Sequence, residues 1–148
     1  MVNFALFRIW MRDNDLIRQK AEDLYEVYLR GIETMTFSSL RDAAEWVVFQ
    51  PARRFYIEAR TASLLVTRYH DGNFMTGMHP ASIRMIMRLY NLLQGHFIAN
   101  PGDNRPVLHI MEELVEQPAP EFYITPEAAR KILRKAIAQR RSQWGSAG

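Results

Sequence analysis

A chain of 148 residues is about the size of one domain, and its 48% hydrophobic and 24% charged residues can offset the entropy of ordering a single core. It has no cysteine, which excludes disulfide frameworks, thiolate metal sites and cysteine nucleophiles together and fits a reducing, cytoplasmic setting. The net charge of +3 hides a division along the chain: six of the 19 basic residues follow the last acid, Glu127, so the preceding part is slightly acidic and the basicity lies in the tail.

The start, residues 1–11, is apolar, with Phe4, Phe7, Ile9, Trp10 and Met11. Arg8 and Arg12 stand too far along for a secretory leader, and no small-residue cleavage site follows, so the segment reads as part of the fold. No uncharged apolar run approaches the ~18 residues of a membrane-spanning helix. Asp13, Asn14 or Asp15 can cap a first helix that carries Leu16, Ile17, Leu24, Val27, Tyr28 and Ile32 on one face and ends near Gly31. Ser39 and Asp42 stand in capping-box spacing before a second helix, which Gln50 closes ahead of Pro51. Residues 53–57 read as extended, and residues 59–69 as a helix ended by the turn His70-Asp71-Gly72-Asn73. Pro80 opens a helix to about Gln94 with Gly95 at its end, Pro106 opens one through Gln117, and Thr125-Pro126 caps and opens the last.

Compared with itself, the chain repeats. Gln50-Pro51-Ala52-Arg53-Arg54-Phe55-Tyr56-Ile57 recurs 67 residues later as Gln117-Pro118-Ala119-Pro120-Glu121-Phe122-Tyr123-Ile124, with six of eight positions identical. Both copies sit between helices, which points to a helix-strand-helix duplication over residues 39–69 and 106–139. The expected fold is a single domain over residues 1–148, mainly α with about five to six helices and two short Phe-Tyr-Ile β-segments that pair with each other. Residues 142–148 read as a flexible tail. The Pro-Ala-x-x-Phe-Tyr-(Ile/Val) segment opening an alanine-containing helix resembles one in short proteins of bacterial prophages and other mobile elements. That resemblance implies a genetic neighbourhood and assigns no residue a role.

Candidate chemistry is sparse. His70, His79, His96 and His109 never stand at ligand spacing, Asp71-Gly72-Asn73 lacks the rest of a calcium loop, and the glycines are too scattered to cradle a phosphate. No catalytic residue, metal site or cofactor is therefore expected, and the chain does not read as an enzyme. The last helix is amphipathic and basic: Ala129, Ile132, Leu133, Ala136 and Ile137 form a stripe, with Arg130, Lys131, Arg134, Lys135, Arg140 and Arg141 around the rest. Such a helix suits nucleic-acid phosphates, although cations near a helix C-terminus are also favoured by the dipole. Arg53 and Arg54 beside Tyr56 add a second candidate, in which an exposed tyrosine stacks on a base. Two readings of function follow: a non-enzymatic accessory protein that binds nucleic acid without sequence preference, or a structural module that self-associates through its apolar N-terminal segment.

Overall fold

The computed structural model describes residues 4–73 and 76–146, with side-chain surroundings from 15 to 73 and from 76 to 142. Its helices run in the order α1 (Phe4–Thr34), α2 (Leu40–Val47), α3 (Ala59–His70), α4 (Pro80–Ala99), α5 (Val107–Leu114) and α6 (Pro126–Ser146). The protein is thus mainly helical, and among the described residues no helix is long and apolar enough to cross a membrane.

Local chemistry sets most boundaries. Ser39 is extended and its hydroxyl accepts the amide of Asp42 at 3.1 Å, the cap its spacing predicts. Thr125 does the same for the amide of Ala128 at 3.0 Å ahead of Pro126. At α4 the ring of His79 takes that role, Nδ1 accepting the amide of Ala81 at 3.1 Å. Two boundaries differ from the sequence expectation. α1 runs from Phe4 rather than starting at residues 13–15, and the Asp15 carboxylate works inside it, bonded to Arg18 at 2.5 Å and Gln19 at 2.6 Å. α4 passes Gly95 and ends a turn later, where the amide of Asn100 reaches the carbonyl of His96 at 2.8 Å.

The helices pack as two compact units, one comprising Met1–Ala52 with Pro120–Gly148 and the other Arg53–Ala119. In the first, α1, α2 and α6 pack pairwise around Leu24, Val27, Ala44, Val47, Phe122 and Leu133. α1 has 31 residues against eight in α2, about 46 Å against 12 Å, so its apolar face outruns its partner. Leu24 and Val27 are buried accordingly, whereas Ile17 stays 62% and Ile32 45% exposed. Gly31 allows α2 a close approach: a Cβ there would stand 2.7 Å from the Trp46 ring and 3.3 Å from Phe37. In the second unit, α3, α4 and α5 pack around Phe55, Val66, Ile86, Leu89, Ile110 and Met111. Tyr90 fastens α4 to α3 through its hydroxyl, 3.0 Å from His70 Nδ1, and through an edge contact with Tyr69 at 5.0 Å.

The Phe-Tyr-Ile segments are not the paired strands expected of them; among the described residues there is no strand, only isolated bridges at Ala52 and Ala119. Each phenylalanine amide is claimed by the end of a helix. In the first unit Phe122 donates to the carbonyl of Val48, the C-cap of α2, at 3.0 Å. In the second, Phe55 donates to the carbonyl of Val115, the C-cap of α5, at 2.9 Å. Carbonyls in a helix's last turn lack intrahelical donors, and leaving a buried one unmet costs ~1 to 3 kcal/mol, so these amides cap helices instead of building a ladder. The backbone then bends: Ile57 folds its amide onto the carbonyl of Phe55 at 3.0 Å, and Tyr123 adopts φ 55°, a left-handed conformation no strand accommodates. Phe55 and Phe122 lie in different units, and Ile57, Ile124, Ile132 and Ile137 are only half-buried.

Truncating Phe122 to alanine should cost ~3 to 5 kcal/mol in chemical denaturation, as for other buried phenylalanines; a loss below ~1 would contradict its place in the core. Glycine substitutions should split in sign. Gly31→Ala should destabilise, because overpacking of ~1 to 3 kcal/mol against Trp46 outweighs the helix-propensity gain of ~1. Gly95→Ala, with nothing within 4 Å of the added methyl, should instead stabilise by ~0.5 to 1 kcal/mol, so thermal midpoints should fall in the order Gly95→Ala, wild type, Gly31→Ala.

Candidate functional site

α6 owes its two-sidedness to its place in the first unit. Ala129 and Leu133 are fully buried against α1 and α2, which leaves the opposite side to solvent. Lys131, Arg134, Lys135 and Arg141 are exposed. At 100° per residue these four fall within a sector of about 120° opposite Leu133, along about 15 Å of helix. Among the described residues none of the four makes an ion pair.

The other two expected cations serve the fold. Arg140 lies over the ring of Tyr25 on α1, 5.4 Å from its centroid, a cation–π contact between helices. Arg130 is 31% exposed and reaches Glu127 at 4.0 Å, while its Nε is buried with no hydrogen-bond partner among the described residues. Arg53, Arg54 and Tyr56 belong to the second unit. Arg54 is turned back along its own chain, Nε donating to the carbonyl of Phe55 at 3.1 Å, and Tyr56 is half-buried rather than presented for stacking.

Two constellations went unread in the sequence. The first is a cavity of about 820 Å³ in the first unit, walled by Tyr28, Ile32, Phe37, Leu40 and Ile137, with Arg134 and Arg141 at its edge and no acid lining it. Its parts come from positions some hundred residues apart. No local pattern announces it. The second closes the loop between α4 and α5. His96 Nε2 lies 2.7 Å from Asp103, whose carboxylate also takes Arg105 at 2.9 Å, and Arg105 continues to Glu113 at 2.5 Å. The sequence hint was the isolated pair Asp103 and Arg105 in a loop of turn formers. Hydrogen bonds from Arg105 and then His96 hold the Asp103 carboxyl well below the usual carboxylate range, and Arg105 likewise lowers Glu113. Among the described residues no group of His, Asp and Glu side chains is arranged to hold a metal ion.

The chain matches no known protein family, and neither a curated protein nor a solved structure is significantly similar to it. Its functional reading therefore rests on these surfaces.

The loop network has a pH signature. A carboxyl whose folded pKa is depressed contributes stability above its unfolded value of ~3.9 and loses it as pH falls through the folded value. The thermal midpoint of Asp103→Asn should accordingly lie below that of wild type at pH 5, and the gap should close as the pH is taken below ~4. A gap that widens in acid would overturn this assignment.

Proposed function

We propose that this chain is a non-enzymatic accessory protein that associates with nucleic acid by holding backbone phosphates on α6, without strong sequence preference. The observation that carries this reading comes from the repeat. The helices that follow the two Gln-Pro-Ala segments begin 67 residues apart, α3 at Ala59 and α6 at Pro126. At that offset Lys131, Arg134 and Lys135 correspond to Leu64, Thr67 and Arg68, all exposed on α3. A helix in this setting folds without a cationic stripe. The charges on α6 are thus additional to what packing asks of it, and four unpaired cations in one sector suit a polyanion whose charges recur every ~1.7 Å of duplex axis. No helix-turn-helix, zinc-finger or RNA-motif signature supplies a base reader, so contact is with phosphates.

The same offsets support a duplicated origin for residues 39–69 and 106–139. α2 and α5 are each eight residues long and begin 67 residues apart, and the bonds from Phe55 to Val115 and from Phe122 to Val48 are related by that shift at both ends. On this reading the copies have exchanged partners, since each compact unit joins the first helix of one copy to the second helix of the other. The resemblance of the repeated segment to prophage proteins would place the nucleic-acid role in a mobile element. The alternative of self-association through Phe4, Phe7, Ile9, Trp10 and Met11 falls on side chains outside the described residues.

Fluorescence anisotropy with labelled DNA and RNA tests the reading. Affinity should fall with salt on a log-log slope of roughly −3 to −4 on duplex DNA, as release of counterions from about four phosphates requires. Lys131→Gln/Lys135→Gln should flatten that slope by about two. No binding at ~50 mM salt and micromolar protein, conditions in which non-specific contacts register, would end the proposal.

A further inference from the structure

The cavity of the first unit differs in kind from the outer stripe of α6. Its walls combine aliphatic and aromatic side chains, from Tyr28, Ile32, Phe37, Leu40 and Ile137, with the polar Thr36 and Ser39. Ile32 is 45% exposed, so part of this wall faces water in the free protein. Its volume of about 820 Å³ lies within the span of small-molecule sites. Charge enters only as Arg134 and Arg141, seven residues and about 10 Å apart along one side of α6, and no acid lines the space. The arrangement therefore discriminates by chemistry. A cationic head would find no partner and two like charges.

We propose that this groove binds a single-chain amphiphile with an anionic head, its alkyl chain laid against Tyr28, Phe37, Leu40 and Ile137 and its carboxylate or phosphate held by Arg134 and Arg141. Guanidinium groups hold either head through paired N–H donors, and water leaving both the chain and the apolar wall drives the tail inward. The groove shares Arg134 and Arg141 with the cationic sector of α6, whereas Lys131 and Lys135 do not line it, so those two lysines tell the two kinds of binding apart.

The probes are saturated carboxylates of six to twelve carbons, decyl phosphate, decanol and inorganic phosphate, each below its micelle concentration, titrated into the full chain by calorimetry and methyl NMR. Binding should saturate at one per chain, shift the methyls of Ile32, Leu40 and Ile137, and tighten about fourfold per added methylene until the groove is full. Decanol should bind roughly tenfold more weakly than decanoate, and Arg134→Gln/Arg141→Gln should erase that preference. Inorganic phosphate should not displace the chain. Ala138→Phe, at an exposed position lining the groove, should abolish decanoate binding while leaving DNA anisotropy unchanged. Lys131→Gln/Lys135→Gln should do the reverse, so failure here and failure of the nucleic-acid reading are told apart. Free carboxylate retained through gel filtration would indicate a fatty-acid source. Sedimentation with phosphatidylglycerol vesicles, lost in Ala138→Phe, would indicate a lipid head group. Absence of saturable binding, or equal affinity for decanol and decanoate, would overturn the proposal.

Discussion

Two backbone hydrogen bonds, Phe122 to Val48 and Phe55 to Val115, decide where the rest of this chain goes. A short helix such as α2 or α5 ends with carbonyls that nothing within it can satisfy, and both ends here are buried. The donor comes in each unit from a segment far along the chain, which brings the ring of the same phenylalanine into the core beside the helix it caps. One residue thus supplies a donor and a large apolar side chain at a single place. The following helix, α6 or α3, is delivered against the capped one as a result. Sequence neighbours α2 and α3 consequently part into different units, and so do α5 and α6.

That delivery explains why α6 can carry charge. Its packing face is narrow, since Ala129 and Leu133 suffice to seat it against α1 and α2, and only Arg140 among its later cations is drawn into the fold, onto Tyr25. α3, which packs on α4 and α5, shows Leu64 and Thr67 to solvent. The exposed faces of the two helices are free to differ because neither is held by what it shows to solvent. Arg134 and Arg141 border both surfaces: they belong to the cationic sector and to the lining of the groove. Ile32, in the last turn of α1, is 45% exposed and forms part of the groove's wall.

Much of this was legible from residue order, and the legible parts share a cause. Ser39 with Asp42, Thr125 with Pro126, and Pro80 mark helix starts through interactions confined to three or four residues, so spacing alone reveals them. The basic character of α6 is equally local, a matter of composition after Glu127. Where a side chain had two local uses, order misled. Asp15 can cap a helix or bridge to Arg18 and Gln19 within one, and the helix running in from Phe4 selects the second. Gly95 can end a helix, yet α4 runs on to Ala99 and closes where the amide of Asn100 reaches the carbonyl of His96.

The failures with consequence lie where a distant partner decides. Phe-Tyr-Ile has every local mark of a strand, but a strand needs a ladder, and a helix carbonyl 60 or 74 residues away in sequence claims the phenylalanine amide first. That Arg140 lies over a ring of α1 is likewise decided at a distance, since nothing near it in sequence announces Tyr25. The groove, assembled from residues 28–43 and 134–141, has no one-dimensional counterpart. Helix content, capping and the distribution of charge are set by interactions spanning a few residues, and so can be read from residue order. Partner choice, strand against cap, and the cavity depend on free energies shared between segments that meet only in the folded chain.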